Sequence, residues 1–413
     1  MSSKILSVQE ARKSRRRNER KRREDDLDLE DYLKTPFRGL PNRILIGIVI
    51  SLTVFGLMAV FSASAPEALH INHDATMYLR KQTIACLIGL FVMYMVSKYD
   101  YRKLKKYSWP LTIASIFLLA LTLVPGFATT SFGSSRWLQI GPFQFQPSEL
   151  AKISTILLLS AGLSKHFWWQ RQMLFRITAI MVMAAIVLKQ PDLGSTLMIM
   201  SGLLVLLYVS GTNSILIFSS LAIGAVAVWQ KILHTPYQMA RIESWLNPYA
   251  HPQAEGWNII QAQFAIGSGG WFGSGFGGSL QKLHYLPVQH ADFIFAVIAE
   301  ELGLVGCLCI LGMFTAFGYY GYKTARSAQT IFGRLLAIAI TTSICIQALV
   351  NVMVTTGLLP ITGITLPFIS YGGSSLVVTL MMVGILLSVS RDRAEEDLEV
   401  EENMGPKLPG FVK

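Results

Sequence analysis

Long apolar blocks restrict what this chain can fold into more than any other feature of its sequence. Ten stand out, at residues 44–65, 83–96, 109–124, 150–163, 177–188, 195–209, 214–229, 293–317, 335–356 and 376–389. Some exceed the roughly 20 residues that carry a helix across a bilayer, and others fall short. Together they predict an all-α polytopic membrane protein with about ten transmembrane helices. Charged residues make up only 15% of the 413 positions, against about a quarter in soluble domains. The two blocks flanking Lys189 are short enough to be tilted or broken, which leaves that boundary open.

The net charge of +11 is concentrated in alternate loops. Arg15-Arg16-Arg17 and Lys21-Arg22-Arg23 precede the first block. Residues 98–106, then Lys165, Arg171 and Arg176, then Lys323, Arg326 and Arg334, then Arg391 and Arg393 follow. In a ten-span arrangement all fall on one side. The excess of Lys and Arg makes that side the cytoplasm and puts both termini there. The other side receives residues 67–81, 129–149, 189–194, a large extracytoplasmic loop at 232–292 between spans 7 and 8, and 357–375. A basic tail beside a span favours topology and anionic-lipid contact over nucleic acid, which is not an expected partner. The chain thus divides into a basic cytoplasmic tail (1–43), a membrane domain (44–391) and a second cytoplasmic tail (392–413), acidic at first and expected to be disordered. The first apolar run starts late and is long, unlike a cleavable signal peptide.

Cys86, Cys307, Cys309 and Cys345 lie in apolar blocks. They read as small buried hydrophobes rather than disulfides or metal ligands.

The polar residues that interrupt this apolar background are the candidates for chemistry. Asp292 stands where a long polar loop enters an apolar helix. A carboxylate there is costly without a partner or a task, and capping the helix is the alternative. His290, two residues earlier, could orient the acid or simply bond locally. Asp192, in Gln190-Pro-Asp-Leu-Gly194, reads first as a cap after a sharp turn. Glu149 and Lys152 share a helix face; they form an intrahelical pair, or Lys152 faces a cavity for an anionic substrate. Arg80, Lys81, Arg136, Arg241 and Lys282 are basic exceptions on the outer side. Each alone reads as interfacial snorkelling; several together, near an acid, suit a lipid phosphate. Gln347 and Asn351 share a face within a span, where amides usually bond a neighbouring helix. Ser374, in Ser370-Tyr-Gly-Gly-Ser-Ser375, opens the last span, where small residues permit close approach. The glycine-rich run 267–278 reads as a flexible loop.

Several strings then coincide in order: Arg136-Trp137, Gln146-Pro-Ser-Glu149 with Lys152, Gln190-Pro-Asp-Leu-Gly194 and Ala265-Ile-Gly-Ser-Gly-Gly270. His290-Ala-Asp-Phe-Ile-Phe-Ala296, Glu300-Glu301-Leu-Gly303, Gln347-Ala-Leu-Val-Asn351 and Leu366-Pro-Phe-Ile-Ser-Tyr-Gly-Gly-Ser-Ser375 complete the set. Over nearly the whole membrane domain the chain resembles the SEDS family (shape, elongation, division and sporulation). Lys282-Leu-His-Tyr-Leu-Pro287 and the basic tail make it more similar to the division members than to the elongation members. The resemblance implies a peptidoglycan glycosyltransferase of the bacterial cytoplasmic membrane, at the division septum, that polymerises lipid II. It also implies pairing with a class B penicillin-binding protein, a transpeptidase, and with other divisome membrane proteins. The Asp matching Asp292 is essential in the family and thought to be the base.

That chemistry suits the residues. A base must take the proton of the attacking sugar hydroxyl, and positive charge must stabilise the departing diphosphate. Asp292 can be the base. Lys81, Arg136, Lys152 and Arg241 are candidates for the diphosphate, with Glu149, Gln347, Asn351 and Ser374 as further substrate contacts. A divalent cation such as Mg2+ or Mn2+ could assist. Three rivals differ in test: an elongation polymerase of the same family, a lipid II flippase needing ionisable residues through both leaflets, and a scaffold acting through its tails.

Overall fold

The computed structural model describes residues 39–124, 128–131, 134–140, 143–250, 252, 256–279 and 291–391. The expectations placed on residues 1–38 and 392–413, on the string 282–287 and on His290 lie outside these residues. All ten apolar blocks form helices. The first seven are α1 (Arg43–Asn72), α2 (Met77–Lys98), α3 (Ser108–Leu121), α4 (Pro147–Leu163), α5 (Arg171–Lys189), α6 (Leu193–Val209) and α7 (Ser214–Leu233). Two shorter helices, α8 (Pro236–Leu246) and α9 (Trp257–Gly269), precede α10 (Ile294–Ser327), α11 (Ile331–Thr355) and α12 (Gly373–Ser390). Six of these are long and apolar enough to cross a membrane by length and composition alone. Helix formation follows from the solvent: hydrocarbon offers backbone polar groups no partner, so each segment satisfies its own.

Helix α4 is the centre of the bundle. Every residue in it except Leu150 is buried, and it packs on α3, α5, α6, α11 and α12. A helix with no face left to solvent belongs in a core, and its buried charges must then be paired there. Helix α12 is buried almost as fully and packs mainly along α2. The boundary around Lys189 resolves into two ordinary helices, α5 and α6, joined by a sharp turn at residues 190–192.

Three features depart from the sequence expectation. The outer segment before α4 carries a small antiparallel sheet, β1 (Ala128–Ser131), β2 (Ser134–Ile140) and β3 (Phe143–Phe145), in the order β1-β2-β3. Leu138 pairs with Phe145 and Trp137 with Thr129. This stretch lies outside the apolar blocks, so its Thr, Trp and Ile residues follow their preference for extended backbone. The long loop between the seventh and eighth spans contains α8 and α9 rather than irregular chain alone. The segment between α11 and α12, expected as an outer loop, buries Leu366, Phe368 and Ile369 at 1%, 3% and 0% exposure. Irregular backbone at such depth is tolerated only when protein or a cavity surrounds it.

The glycine-rich run, expected to be flexible, is instead clamped to α10. That helix breaks at Gly303, where φ is 63° and ψ is −164°. The carbonyls of Glu300 and Glu301 accept from the backbone N–H of Ser274 (2.9 Å) and Gly275 (3.0 Å). The N–H groups of Leu304 and Val305 donate to Gly270 O (2.9 Å) and Trp271 O (3.2 Å). The backbone groups loosened by the break are thereby satisfied from outside the helix. The buried carboxylates have partners as well: Ser62 Oγ donates to Glu301 Oε1 at 2.6 Å, and Ser279 Oγ donates to Glu300 Oε2.

A side chain cannot enter this junction. A Cβ on Gly303 would lie 2.5 Å from Gly273 N and 2.6 Å from Trp271 O, in a backbone region that essentially only glycine occupies, at a cost of about 1–3 kcal/mol before the clash is counted. Gly303→Ala is expected to lower the thermal unfolding midpoint of the purified protein by several degrees. Gly312→Ala on the same helix, where a Cβ meets nothing within 4 Å, should leave it level or raise it. Equal midpoints for the two variants would remove this account of the break.

Candidate functional site

The polar candidates gather at one end of the bundle because chain direction alternates. Helices α2, α4, α6, α10 and α12 begin there, and α5 and α11 end there. The segment 358–371 threads among them and is gripped by four side chains from three helices. Arg241 Nη1 on α8 donates to Ile361 O (3.0 Å), and Asn351 Nδ2 on α11 to Ile364 O (2.7 Å). Gln347 Nε2 donates to Thr365 O (3.0 Å), and Gln82 Nε2 on α2 to Ser370 O (3.1 Å).

Asp292 and Arg136 converge on this segment at Gly363. A Cβ built there would lie 3.8 Å from Asp292 Oδ2 and 3.9 Å from Arg136 Nη1. The carboxylate and the guanidinium therefore flank one point that has no side chain of its own. Gly363 has φ of 72°, which suits glycine. Asp292 is half-buried, and Asn351 Nδ2 donates to its backbone carbonyl at 3.0 Å. It does not cap the following helix: the capping position of α10 is Phe293, with no side-chain bond. The capping alternative for Asp292 is thus set aside.

Arg136 is carried on β2, which aims it at the α5–α6 turn. Its Nη1 lies 3.7 Å from Asp192 Oδ2, and its Nε is buried without a hydrogen-bond partner among the described residues. Asp192 is the N-cap of α6, as its first reading had it: Oδ1 accepts from Ser195 N (2.9 Å) and Oδ2 from Ser195 Oγ (2.8 Å). Gln146 Nε2 adds a bond to Oδ2 at 3.1 Å. With these bonds made, Asp192 anchors Arg136 loosely rather than neutralising it.

A second group lies deeper. Lys152 Nζ is 2.8 Å from Glu149 Oε2, close but not aligned as a hydrogen bond, and donates to Gln347 Oε1 at 3.0 Å. Lys152 and Glu149 are 3% and 5% exposed, so each charge depends on the other. Gln347 passes the link to Thr365, whose Oγ1 is 3.3 Å from Ser375 Oγ.

The remaining candidates separate. Ser374 stands in the first turn of α12, with Oγ buried and without a partner among the described residues. Lys81 is exposed near the start of α2, and among the described residues no contact ties it to the other candidates. Arg80 pairs with Asp74. Sequence reasoning did not place Gly363 or Gln146 at the site, and it gave Asp192 no link to Arg136. The only signal for the first was a glycine among β-branched residues.

Among the described residues no three of His, Cys, Asp and Glu come together. Among the described residues Asp292 and Arg136 are the charged groups that meet at the Gly363 point, and no step is routed through a divalent cation.

The bundle and its polar end define a multi-pass membrane protein with buried charge gathered where irregular backbone re-enters the helices. Residues 42–395 match the FTSW_RODA_SPOVE model, described as cell cycle protein, and the chain belongs to that family, the SEDS proteins. It is 39% identical over 365 residues to "Probable peptidoglycan glycosyltransferase FtsW" of Trichlorobacter lovleyi, covering 87% of this chain and 96% of that one. It is 38% identical over 356 residues to "Stage V sporulation protein E" of Bacillus subtilis, covering 85% and 97%. Among solved structures, a chain from work on polymerization and crosslinking by a peptidoglycan synthase complex aligns with a TM-score of 0.72. It is 30% identical and covers 86% of this chain and 99% of that one. The rod shape determining protein RodA of Thermus thermophilus aligns with a TM-score of 0.64 at 27% identity, over 86% and 97%.

Proposed function

We infer that this chain is a peptidoglycan glycosyltransferase that polymerises lipid II into glycan strands. The observation that carries this is the convergence of Asp292 and Arg136 on the open point at Gly363. Asp292 takes the proton of the acceptor sugar hydroxyl as that oxygen attacks the anomeric carbon of the donor. The bond from that carbon to the lipid diphosphate breaks, and the electron pair leaves with the diphosphate. Arg136 stabilises that charge with donors that Asp192 leaves largely unused.

The other candidates take graded roles. Asn351, Gln347 and Arg241 spend their donors on the 361–365 backbone and so hold the floor of the site. The Glu149–Lys152 pair supports that floor from beneath. Ser374 and Lys81 meet the substrate at its edges. Polymerisation of lipid II by the purified protein, alone and with a class B penicillin-binding protein, tests the reading; absence of polymer under both conditions would count against it.

The septal role is the finer part of the proposal. Relatives called FtsW reach 39% identity, against 27% for RodA of Thermus thermophilus, and the string 282–287 points the same way. We place the protein at the division septum with both termini in the cytoplasm, acting with a class B penicillin-binding protein and other divisome membrane proteins. The relative that belongs to a peptidoglycan synthase complex supports such a partner. Depleting the protein from its host should give long, undivided cells. Rounded cells of normal length would assign it to elongation instead.

A further inference from the structure

We propose that the groove between α3 and α5 binds an anionic phospholipid, with an acyl chain along its walls and the phosphate on Arg176. The groove has a volume of about 490 Å³ and lies away from Asp292. Trp109 and Ile116 of α3 and Ala179 and Val182 of α5 form its apolar walls, and Gln172 and Arg176 stand at one end. These last two share a face of α5, four residues apart.

Arg176 is held in place rather than free in water. Its Nη1 donates to Leu158 O at 2.8 Å, and its guanidinium carbon lies 5.5 Å from the centroid of the Trp109 ring. Gly162 lies against its stem: a Cβ there would be 2.6 Å from Arg176 Cδ. A snorkelling arginine keeps its head hydrated and mobile, whereas this one is pinned, with most of its donors unspent among the described residues. Paired N–H groups of a guanidinium match phosphate oxygens.

Charge selects the occupant. Lys165, Arg171 and Arg176 fall between residues 163 and 180, and that stretch contains no Asp or Glu. Basic pockets between transmembrane helices bind anionic headgroups. A transmembrane helix of another protein would fill the apolar walls but leave the guanidinium facing hydrocarbon, unless it carried an acid at that depth. A phospholipid brings its phosphate to that depth and its chain to the walls. Leu158, which holds Arg176, lies on the opposite half of α4 from Glu149, so this site is separate from the one at Gly363.

The test uses the full chain in detergent with phosphatidylglycerol or phosphatidylcholine of identical acyl chains. Bound lipid is counted by native mass spectrometry, and lipid-free melting checks the fold. The wild type should retain phosphatidylglycerol about fivefold better than phosphatidylcholine, the share expected of one arginine at an anionic headgroup. Arg176→Gln should remove the preference. Ala179→Phe, which keeps Arg176 but fills the groove, should remove it too, and it decides the matter if Arg176→Gln fails to fold. No preference in the wild type, or wild-type preference in a folded Ala179→Phe, overturns the proposal. So does a photo-crosslinker at Val182 that captures a protein segment instead of lipid in cells.

Discussion

Asp292→Asn should lower the rate of glycan polymerisation from lipid II by about a hundred- to ten-thousand-fold, the usual contribution of a positioned base. The protein should still insert, purify and melt as the wild type does. Two features of the structure separate these outcomes. Asparagine matches aspartate in shape and cannot take a proton at neutral pH. One bond that fixes this position to the bundle runs from Asn351 Nδ2 to the Asp292 backbone carbonyl, which the substitution leaves in place. Nor is a helix cap lost, because Phe293 occupies that position. Asp292→Glu refines the test. It keeps the carboxylate but shifts it by about one carbon–carbon bond, and a misplacement near 1 Å can cost on the order of a hundredfold. The expected order is wild type, then Glu, then Asn, read from polymer made with a class B penicillin-binding protein supplied. Wild-type polymer from Asp292→Asn would remove the base from the mechanism, whatever became of Arg136.

The ten helices were legible because hydrocarbon leaves a segment few choices. A run of apolar residues near a span's length must satisfy its backbone internally, and composition alone reports that. The cap at Asp192 was legible for a related reason, since its bonds to Ser195 lie within one helical turn. Contacts across the bundle are a different matter. Arg136 and Asp192 sit on different elements, and nothing in either local sequence names the other. Gly363 became visible only once α8, α11 and β2 had each placed a residue around it. The glycine run 267–278 was misread for the same reason. Glycine read alone signals freedom, but here its missing side chain admits the broken backbone of α10, and the partner strand of chain supplies the constraint. The strings shared with the SEDS family ran ahead of this logic: they marked Asp292 and Arg136 without saying why the two belong together.

Lys152→Met should be among the most destabilising single substitutions in the chain. Lys152 and Glu149 are both almost wholly buried, and the lysine also donates to Gln347 Oε1 at 3.0 Å. Methionine fills much of the same volume but leaves the Glu149 carboxylate without its cation, a change that costs about 3–5 kcal/mol when one partner of a buried pair is removed. The unfolding midpoint should fall accordingly. The double variant Glu149→Gln/Lys152→Met removes both charges and should recover much of the loss, since well-packed neutral residues often replace a buried pair at little cost. Its activity then separates the two readings of Lys152. If polymerisation returns together with stability, the two charges serve only to neutralise each other inside the bundle beneath the site. If the double variant melts like the wild type yet makes no polymer, the ammonium group acts on the substrate, and the diphosphate must reach deeper into the bundle than Gly363.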